Sequence, residues 1–241
     1  MQSGVMTTAL ITGANKGLGF ETALRLVGLG WTVHLAARDT QRGEQAAARL
    51  SESGGDVRFV QLDVTSDDSV TRAFDSLEPL GALDVLVNNA GIIGAGRLNP
   101  LETGPQDFLA CFGVNLLGPV RVTHTMLPLL ERSEQPCIVM VSSGMGSMSV
   151  TSDSRRGESI IQSLVYPASK AALNMVTTQY AKALPRYRIN AVDPGYTATD
   201  LNGHSGLKTA AQGAEIIVEM AQVAPDGPTG GFFSDEGPVP W

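Results

Sequence analysis

Tyr166 and Lys170 stand at the head of an apolar-periodic stretch that runs to about Leu184. On a helix, residues at this spacing lie one turn apart on the same face, so the phenol and the ammonium can reach one ligand. A phenol titrates near ~10 in water, and a cation a few Å away favours the phenolate and draws that value toward neutrality. A tyrosine so placed can give its proton to a carbonyl oxygen as hydride arrives, or take it back in reverse. The same short pattern also describes an ordinary amphipathic tyrosine beside a solvated lysine. The rest of the chain decides between the two.

Two further polar residues stand where they could join that pair. Ser142-Ser143 follows the buried run Cys137 to Val141, and ligands of a parallel sheet bind outside the carboxyl ends of its strands. Ser143 is therefore the candidate hydroxyl for bonding a substrate carbonyl, although a turn or capping serine has the same sequence context. Asn115 lies inside a long helical pattern from about Pro105 to Leu130. An asparagine in the apolar middle of a helix is costly unless its amide is satisfied. It either bonds a neighbouring loop or holds a water near the site, and Pro119, which has no N–H, frees a backbone carbonyl nearby and favours the second.

A positively disposed pocket for a phosphorylated ligand is legible at the other end of the chain. The buried run Thr7 to Thr12 leads into Gly13-Ala14-Asn15-Lys16-Gly17-Leu18-Gly19, and helical periodicity follows from Phe20 to Leu29. Strand, glycine turn and helix N-terminus together bind phosphate through backbone N–H groups and the helix dipole. A second buried run, Thr32 to Ala37, ends at Arg38. In a nucleotide-binding sheet that end borders the adenosine ribose, where a carboxylate would accept from the 2′-hydroxyl. Here Ala37 supplies no acid, while Arg38 and Lys16 supply two cations suited to a 2′-phosphate. Asp39 is expected to cap a helix from Thr40 to Leu50. These residues point to NADP(H) over NAD(H).

The remaining alternation is regular. A strand at Val57 to Leu62 ends in Asp63-Val64, and Ser66-Asp67-Asp68 opens a helix to about Leu77. A strand at Leu83 to Val87 precedes Asn88-Asn89-Ala90-Gly91, whose small residues let the chain pass close to a flat ligand or form a plain turn. The stretch 147–163 is polar and irregular and is expected to be a long mobile loop bordering the site. A strand at Arg188 to Val192 precedes Asp193-Pro194-Gly195-Tyr196-Thr197-Ala198-Thr199-Asp200. A helix from Thr209 to Ala224 and a strand at Gly231 to Phe233 complete the pattern. Residues 1–5 show no periodicity and are expected to be a disordered lead. With no repeat or linker, the whole of 1–241 reads as a single domain.

Composition excludes several classes. A net charge of −7 with no basic run offers no footprint for nucleic acid. Cys111 and Cys137 lie far apart in apolar surroundings and read as buried thiols, and His34, His124 and His204 make no ligand-spaced cluster, so no metal site is expected. No run is long and apolar enough for a membrane helix and no signal-peptide pattern opens the chain, so a cytoplasmic protein is expected.

Taken in order, Thr12-Gly13…Gly17…Gly19, Asp63-Val64, Asn88 to Gly91, Asn115, Ser143, Tyr166…Lys170 and Pro194-Gly195…Thr199 resemble the signatures of the short-chain dehydrogenase/reductases over essentially the full length. Within them the chain is most similar to the NADPH-dependent carbonyl reductases, on Thr12 to Gly19, Ala37-Arg38-Asp39, and an ending through Gly213-Ala214-Glu215 and Gly227-Pro228-Thr229-Gly230 to Trp241. The resemblance implies an α/β Rossmann-type doubly wound parallel sheet of seven strands, in the order 3-2-1-4-5-6-7, with helices on both faces. It implies reduction of a small-molecule ketone or aldehyde, with Tyr166 as general acid and Ser143 orienting the carbonyl. Lys170 would bond the nicotinamide ribose and lower the Tyr166 pKa, while Asn115 would hold a water that relays protons. NADPH would meet Gly13, Asn15, Lys16, Gly17, Leu18 and Gly19 at the pyrophosphate, and Arg38 with Lys16 at the 2′-phosphate. Asp63 and Val64 would border the adenine, and Asn89, Ala90 and Gly91 the ribose and nicotinamide. Pro194, Gly195, Thr197 and Thr199 would fix the carboxamide side. An apolar substrate pocket is expected from Ile92, Ile93, Met145, Met148, Tyr196, Phe233 and Trp241. The interval from Ser143 to Tyr166 is longer than in compact tetrameric members and shorter than in monomeric carbonyl reductases, which leaves monomer and homo-oligomer both open. A non-catalytic NADP(H) sensor and a different chemistry, such as acyl-carrier ketoreduction, use the same fold.

Overall fold

A computed structural model describes residues 7–52, 54–94 and 99–241. The lead expected at residues 1–5 lies outside the described residues. Eight strands form one sheet: β1 (Thr8–Thr12), β2 (Thr32–Ala37), β3 (Val57–Gln61), β4 (Val85–Asn88), β5 (Cys137–Val141), β6 (Arg188–Val192), β7 (Phe232–Ser234) and β8 (Gly237–Pro238). Their order is β3-β2-β1-β4-β5-β6-β7-β8. The first seven are parallel in the expected order, and β8 is an addition to it. It turns back antiparallel on β7, pairing Phe233 with Pro238. Gly237 makes that tight return possible with φ of 106°, a backbone state that disfavours other residues.

The strands are apolar on both faces because helices cover both. Ala9 and Ile11 of β1 point into one core, where they meet Ala23 and Leu26 of α1 (Gly17–Gly28), Ala46 and Leu50 of α2 (Thr40–Ser51), and Ile216 and Ile217 of α8 (Ala210–Ala221). Leu10, between them, points into the other, with Val70 and Ala73 of α3 (Asp67–Leu77), Val122 and Met126 of α5 (Gly118–Leu130), and Leu173 of α7 (Val165–Ala183). Each fully buried Leu, Ile, Val or Met among them contributes about 1.5–3 kcal/mol relative to exposure. Asp39 and Ser66 cap α2 and α3 as expected, accepting the Arg42 and Ser69 N–H groups at 2.9 and 3.2 Å.

Two expectations need correction. The helical pattern from Pro105 to Leu130 is not one helix: α4 (Pro105–Phe112) gives way to a π-helical turn over Gly113–Leu117 before α5 begins. Pro119 has no N–H to donate to the carbonyl of Asn115, four residues back, and the ladder widens there. The stretch 147–163 is not irregular throughout. It holds α6 (Met148–Ser152) and a 3-10 turn at Gly157–Ile160. It is also tied to the end of the chain: Ser147 Oγ donates to the Pro240 carbonyl at 2.6 Å and Ser149 Oγ to that of Trp241 at 2.6 Å.

Candidate active site

The glycine turn between β1 and α1 is built for close approach of a ligand backbone. Gly13 and Gly17 have φ of 64° and 58°, and a Cβ on Gly13 would meet the Ala90 Cα at 3.0 Å. The first turn of α1 contains no acidic residue and its N-cap, Lys16, makes no side-chain cap, so its N–H groups and positive dipole end suit an anion. Asn89 shapes this turn from the end of β4: its amide donates to the carbonyls of Thr12 and Gly13 at 2.8 and 3.2 Å. Leu18 packs into the core beneath α1, and Asn15 is half-buried within the turn.

Arg38 is exposed at the end of β2, where its carbonyl accepts from Gln61 Nε2 at 3.2 Å. Its charge reaches Asp63. Burial alone would raise that carboxyl, but bonds from Thr65 and the charges of Arg38 and Arg121 hold it below the usual range. Val64 packs against Gly118, and its carbonyl accepts from Arg121 at 2.7 Å. Lys16 does not stand free beside Arg38. Its ammonium pairs with Asp200 Oδ2 at 2.5 Å, and Asp200 Oδ1 lies 2.8 Å from His204 Nε2. The glycine turn is thereby linked to the segment after β6.

At the carboxyl ends of β4 and β5 the structure brings together Asn115, Ser143, Tyr166 and Lys170. Tyr166 stands beside Ser143, whose hydroxyl draws the phenol pKa down, and Ser143 Oγ accepts the Met145 N–H at 3.2 Å. Lys170 is buried and its ammonium donates to the Val141 carbonyl at 2.7 Å, with the Tyr166 ring centroid 5.7 Å away. Asn115, in the π-helical turn, uses its amide on the loop after β4: Oδ1 accepts the Ile92 N–H at 2.9 Å and Nδ2 donates to the Ile92 carbonyl at 2.8 Å and to Ser169 Oγ at 3.0 Å. Of the two sequence readings of Asn115, the bond to a neighbouring loop is thus the one its side chain makes. Gly91 closes the cluster, since a Cβ there would lie 3.5 Å from Asn115 Oδ1 and 3.7 Å from Lys170 Nζ.

The electrostatics differ from expectation. Burial pushes the Tyr166 phenol up to about 12, against a smaller downward pull from the Ser143 hydrogen bond, and the charges of Asp193 and Cys111 push the same way. The same burial pulls the Lys170 ammonium down to about 8. Desolvation disfavours the charged form of both groups. At neutral pH the phenol is a proton donor with its proton in place.

After β6, Gly195 turns with φ of 72° and its N–H donates to Asp193 Oδ1 at 3.0 Å. Thr197 is buried, with its hydroxyl donating to the carbonyls of Pro194 and Gly195, and the Thr199 methyl lies where a Cβ on Gly17 would touch it at 3.5 Å. Met148 and Tyr196 are exposed, while Trp241 stacks on Phe232 with centroids 5.4 Å apart. Met145 is held by its N–H at Ser143, and Ile92, Ile93 and Phe233 are half-buried. Sequence reasoning passed over three acids here. Asp193 and Glu158 both approach Gly144, and Asp200 claims Lys16; a carboxylate in a loop carries no spacing signal that separates it from a solvated one. Among the described residues no group of His, Cys, Asp and Glu is disposed to hold a metal, and no helix is long and apolar enough to cross a membrane.

Against known proteins, a family model described as short chain dehydrogenase matches residues 7–210. The (+)-neomenthol dehydrogenase of Capsicum annuum is 30% identical, over 93% of this chain and 94% of its own. The salutaridine reductase of Papaver bracteatum is 31% identical, over 95% and 94%. Among solved structures, an NADPH-bound carbonyl reductase from chicken fatty liver superposes with a TM-score of 0.85 at 25% identity, covering 98% of this chain and 99% of that one.

Proposed function

The chain belongs to the short-chain dehydrogenase family, and from that premise we propose that it reduces a ketone or aldehyde to an alcohol with NADPH, Tyr166 giving the proton. The observation that carries this reading is the convergence of Ser143, whose hydroxyl acts on the Tyr166 phenol, with the buried Lys170 at the end of β5. Two hydroxyls so placed can both bond one carbonyl oxygen, Ser143 orienting it and Tyr166 supplying the proton as charge develops there. A phenol pushed up to about 12 holds its proton at neutral pH and so has it to give to the carbonyl oxygen.

The residues present suit a dinucleotide. The glycine turn and the bare N-terminus of α1 suit its pyrophosphate, and Arg38 with no acid beside it at Ala37 suits a 2′-phosphate. When bound, the reduced nicotinamide supplies the hydride. Lys170 spends one of its three N–H donors on Val141 and keeps two for a ribose. Asn115 holds the Ile92 loop and with it the wall behind Gly91, so any water relay at this position would use its backbone carbonyl, which Pro119 cannot bond. Thr197 and Thr199 shape the turn proposed for the carboxamide. Two of the relatives are named for neomenthol and salutaridine, and a hydrophobic ketone suits Met145, Met148, Tyr196 and Phe233.

Following NADPH absorbance against a panel of cyclic ketones, aldehydes and quinones tests the reading. Turnover on at least one carbonyl is expected. Tight NADPH binding without turnover on any of them would favour a redox sensor instead.

A further inference from the structure

Asp193 is the only acidic side chain that is buried among the described residues, at 6% exposed. A buried carboxylate is costly unless hydrogen bonds and charges hold it, so its neighbours matter. Its Oδ1 accepts the Gly195 N–H at 3.0 Å. Its Oδ2 lies against Gly144, where a Cβ would meet it at 2.9 Å, and the nearby Gly144 N–H draws its pKa down. Its own N–H donates to the Phe233 carbonyl at 2.8 Å. One side chain therefore joins the turn after β5, which carries Ser143, to the turn after β6, which leads to Thr197 and Thr199.

Charged groups face it from three other directions. Glu158, from the 3-10 turn, reaches the same Gly144 and repels it, while Arg156 shares the Glu158 charge at 3.6 Å. Lys208 attracts it from the segment before α8, although its ammonium pairs with Asp235 at 2.7 Å. Tyr166 and Lys170 face it from α7, and its charge raises the proton affinity of both. For Lys170 that influence opposes the desolvation that would strip its proton; for Tyr166 it disfavours the phenolate.

We propose that Asp193 is a positioning residue for the carbonyl reduction: it fixes the Ser143 turn against the Gly195 turn and adds a buried negative charge on the side of Tyr166 and Lys170. This rests on the reductase reading, and its test separates the two. In full-length protein without added NADPH, the Tyr166 phenol is titrated by ultraviolet absorbance as the difference between each chain and the same chain carrying Tyr166→Phe. Asp193→Asn is expected to lower that titration by about one unit, because a neighbouring anion has been removed. An unmoved phenol overturns the electrostatic role, whether or not the protein turns over. In kinetics, the alkaline limb of kcat/KM is expected at lower pH in Asp193→Asn, and a superimposable profile counts against the proposal. Asp193→Asn keeps one acceptor oxygen and Asp193→Ala none, so KM for NADPH is expected to rise severalfold in the first and further in the second. If both variants keep the wild-type KM and kcat with unchanged thermal midpoints, Asp193 does not position the turns. A moved phenol in a chain that reduces no carbonyl would leave the electrostatics standing and remove the reductase reading alone.

Discussion

The two ends of the sheet put the same burial to different use. In the half built from β1 to β4, His34 is buried in β2 and desolvation, helped by Arg58, pulls its imidazole down to about 4. In the half built from β5 to β7, desolvation pulls Lys170 down to about 8 and pushes Tyr166 up to about 12. The physical cause is the same, yet only the second pair lies at strand ends, Tyr166 beside Ser143 and Lys170 bonded to the Val141 carbonyl. His34 lies inside the sheet, paired in register between Leu10 and Arg58, and its Nδ1 has no hydrogen-bond partner. A displaced pKa alone does not mark a site; displacement at the mouth of a crevice, with a second polar group in reach, does. The ligand-facing work also divides. The first half relies on backbone, through Gly13, Gly17 and the α1 N-terminus, while the second relies on side chains.

Substitutions should break the two halves differently. The largest effect is expected for Tyr166→Phe, which removes the proton donor and leaves the glycine turn intact: kcat should fall by on the order of 10²- to 10⁴-fold with NADPH affinity unchanged, by steady-state kinetics and fluorescence binding. In the unmodified protein kcat/KM should decline as pH rises through about 8, where the Lys170 ammonium loses its proton.

His34 should act on stability alone. Its folded pKa is depressed, so the unfolded chain takes up a proton below its ordinary value of 6.5 while the folded protein resists until about 4. Stability should therefore be fully present above about 6.5 and fall by up to ~3 kcal/mol as pH drops to about 4. Denaturant midpoints of His34→Leu should lose that portion of the pH slope, and an unchanged slope would place the acid sensitivity elsewhere.

Arg38→Ala should raise KM for NADPH by about 10- to 100-fold, the worth of a charge-assisted hydrogen bond, and leave KM for NADH nearly alone. Equal effects on both would remove the 2′-phosphate argument. The smallest change is expected for Asp200→Asn. The Lys16–Asp200 pair is more than half exposed on both sides and such pairs contribute little. Freeing Lys16 should tighten NADPH by a few-fold without moving NADH.

Much of this was legible in the chain. Strands that must be apolar on both faces announce themselves as runs such as Leu10-Ile11 and Ile138-Val139, and the glycine turn is written as spacing because glycine takes the φ of 64° and 58° found there at no steric cost. Tyr166, Lys170, Ser143 and Asn115 could be paired in advance because helix geometry and strand ends fix where they point. What could not be read was set by three-dimensional company. The π-helical turn depends on Pro119 and Gly118 packing against Val64. The strand β8 depends on one glycine return. The direction of the Tyr166 shift depends on how much water the fold removes, which the sequence does not state, and Lys16 was lost to an acid far along the chain.

The most direct measurement is a crystal structure of the protein with NADPH and a slowly turned-over ketone. The expected result places Tyr166 Oη and Ser143 Oγ within hydrogen-bond reach of the ketone oxygen, with the Lys170 ammonium on the nicotinamide ribose. A nicotinamide ring bound away from Tyr166, with the ketone touching neither hydroxyl, would contradict it.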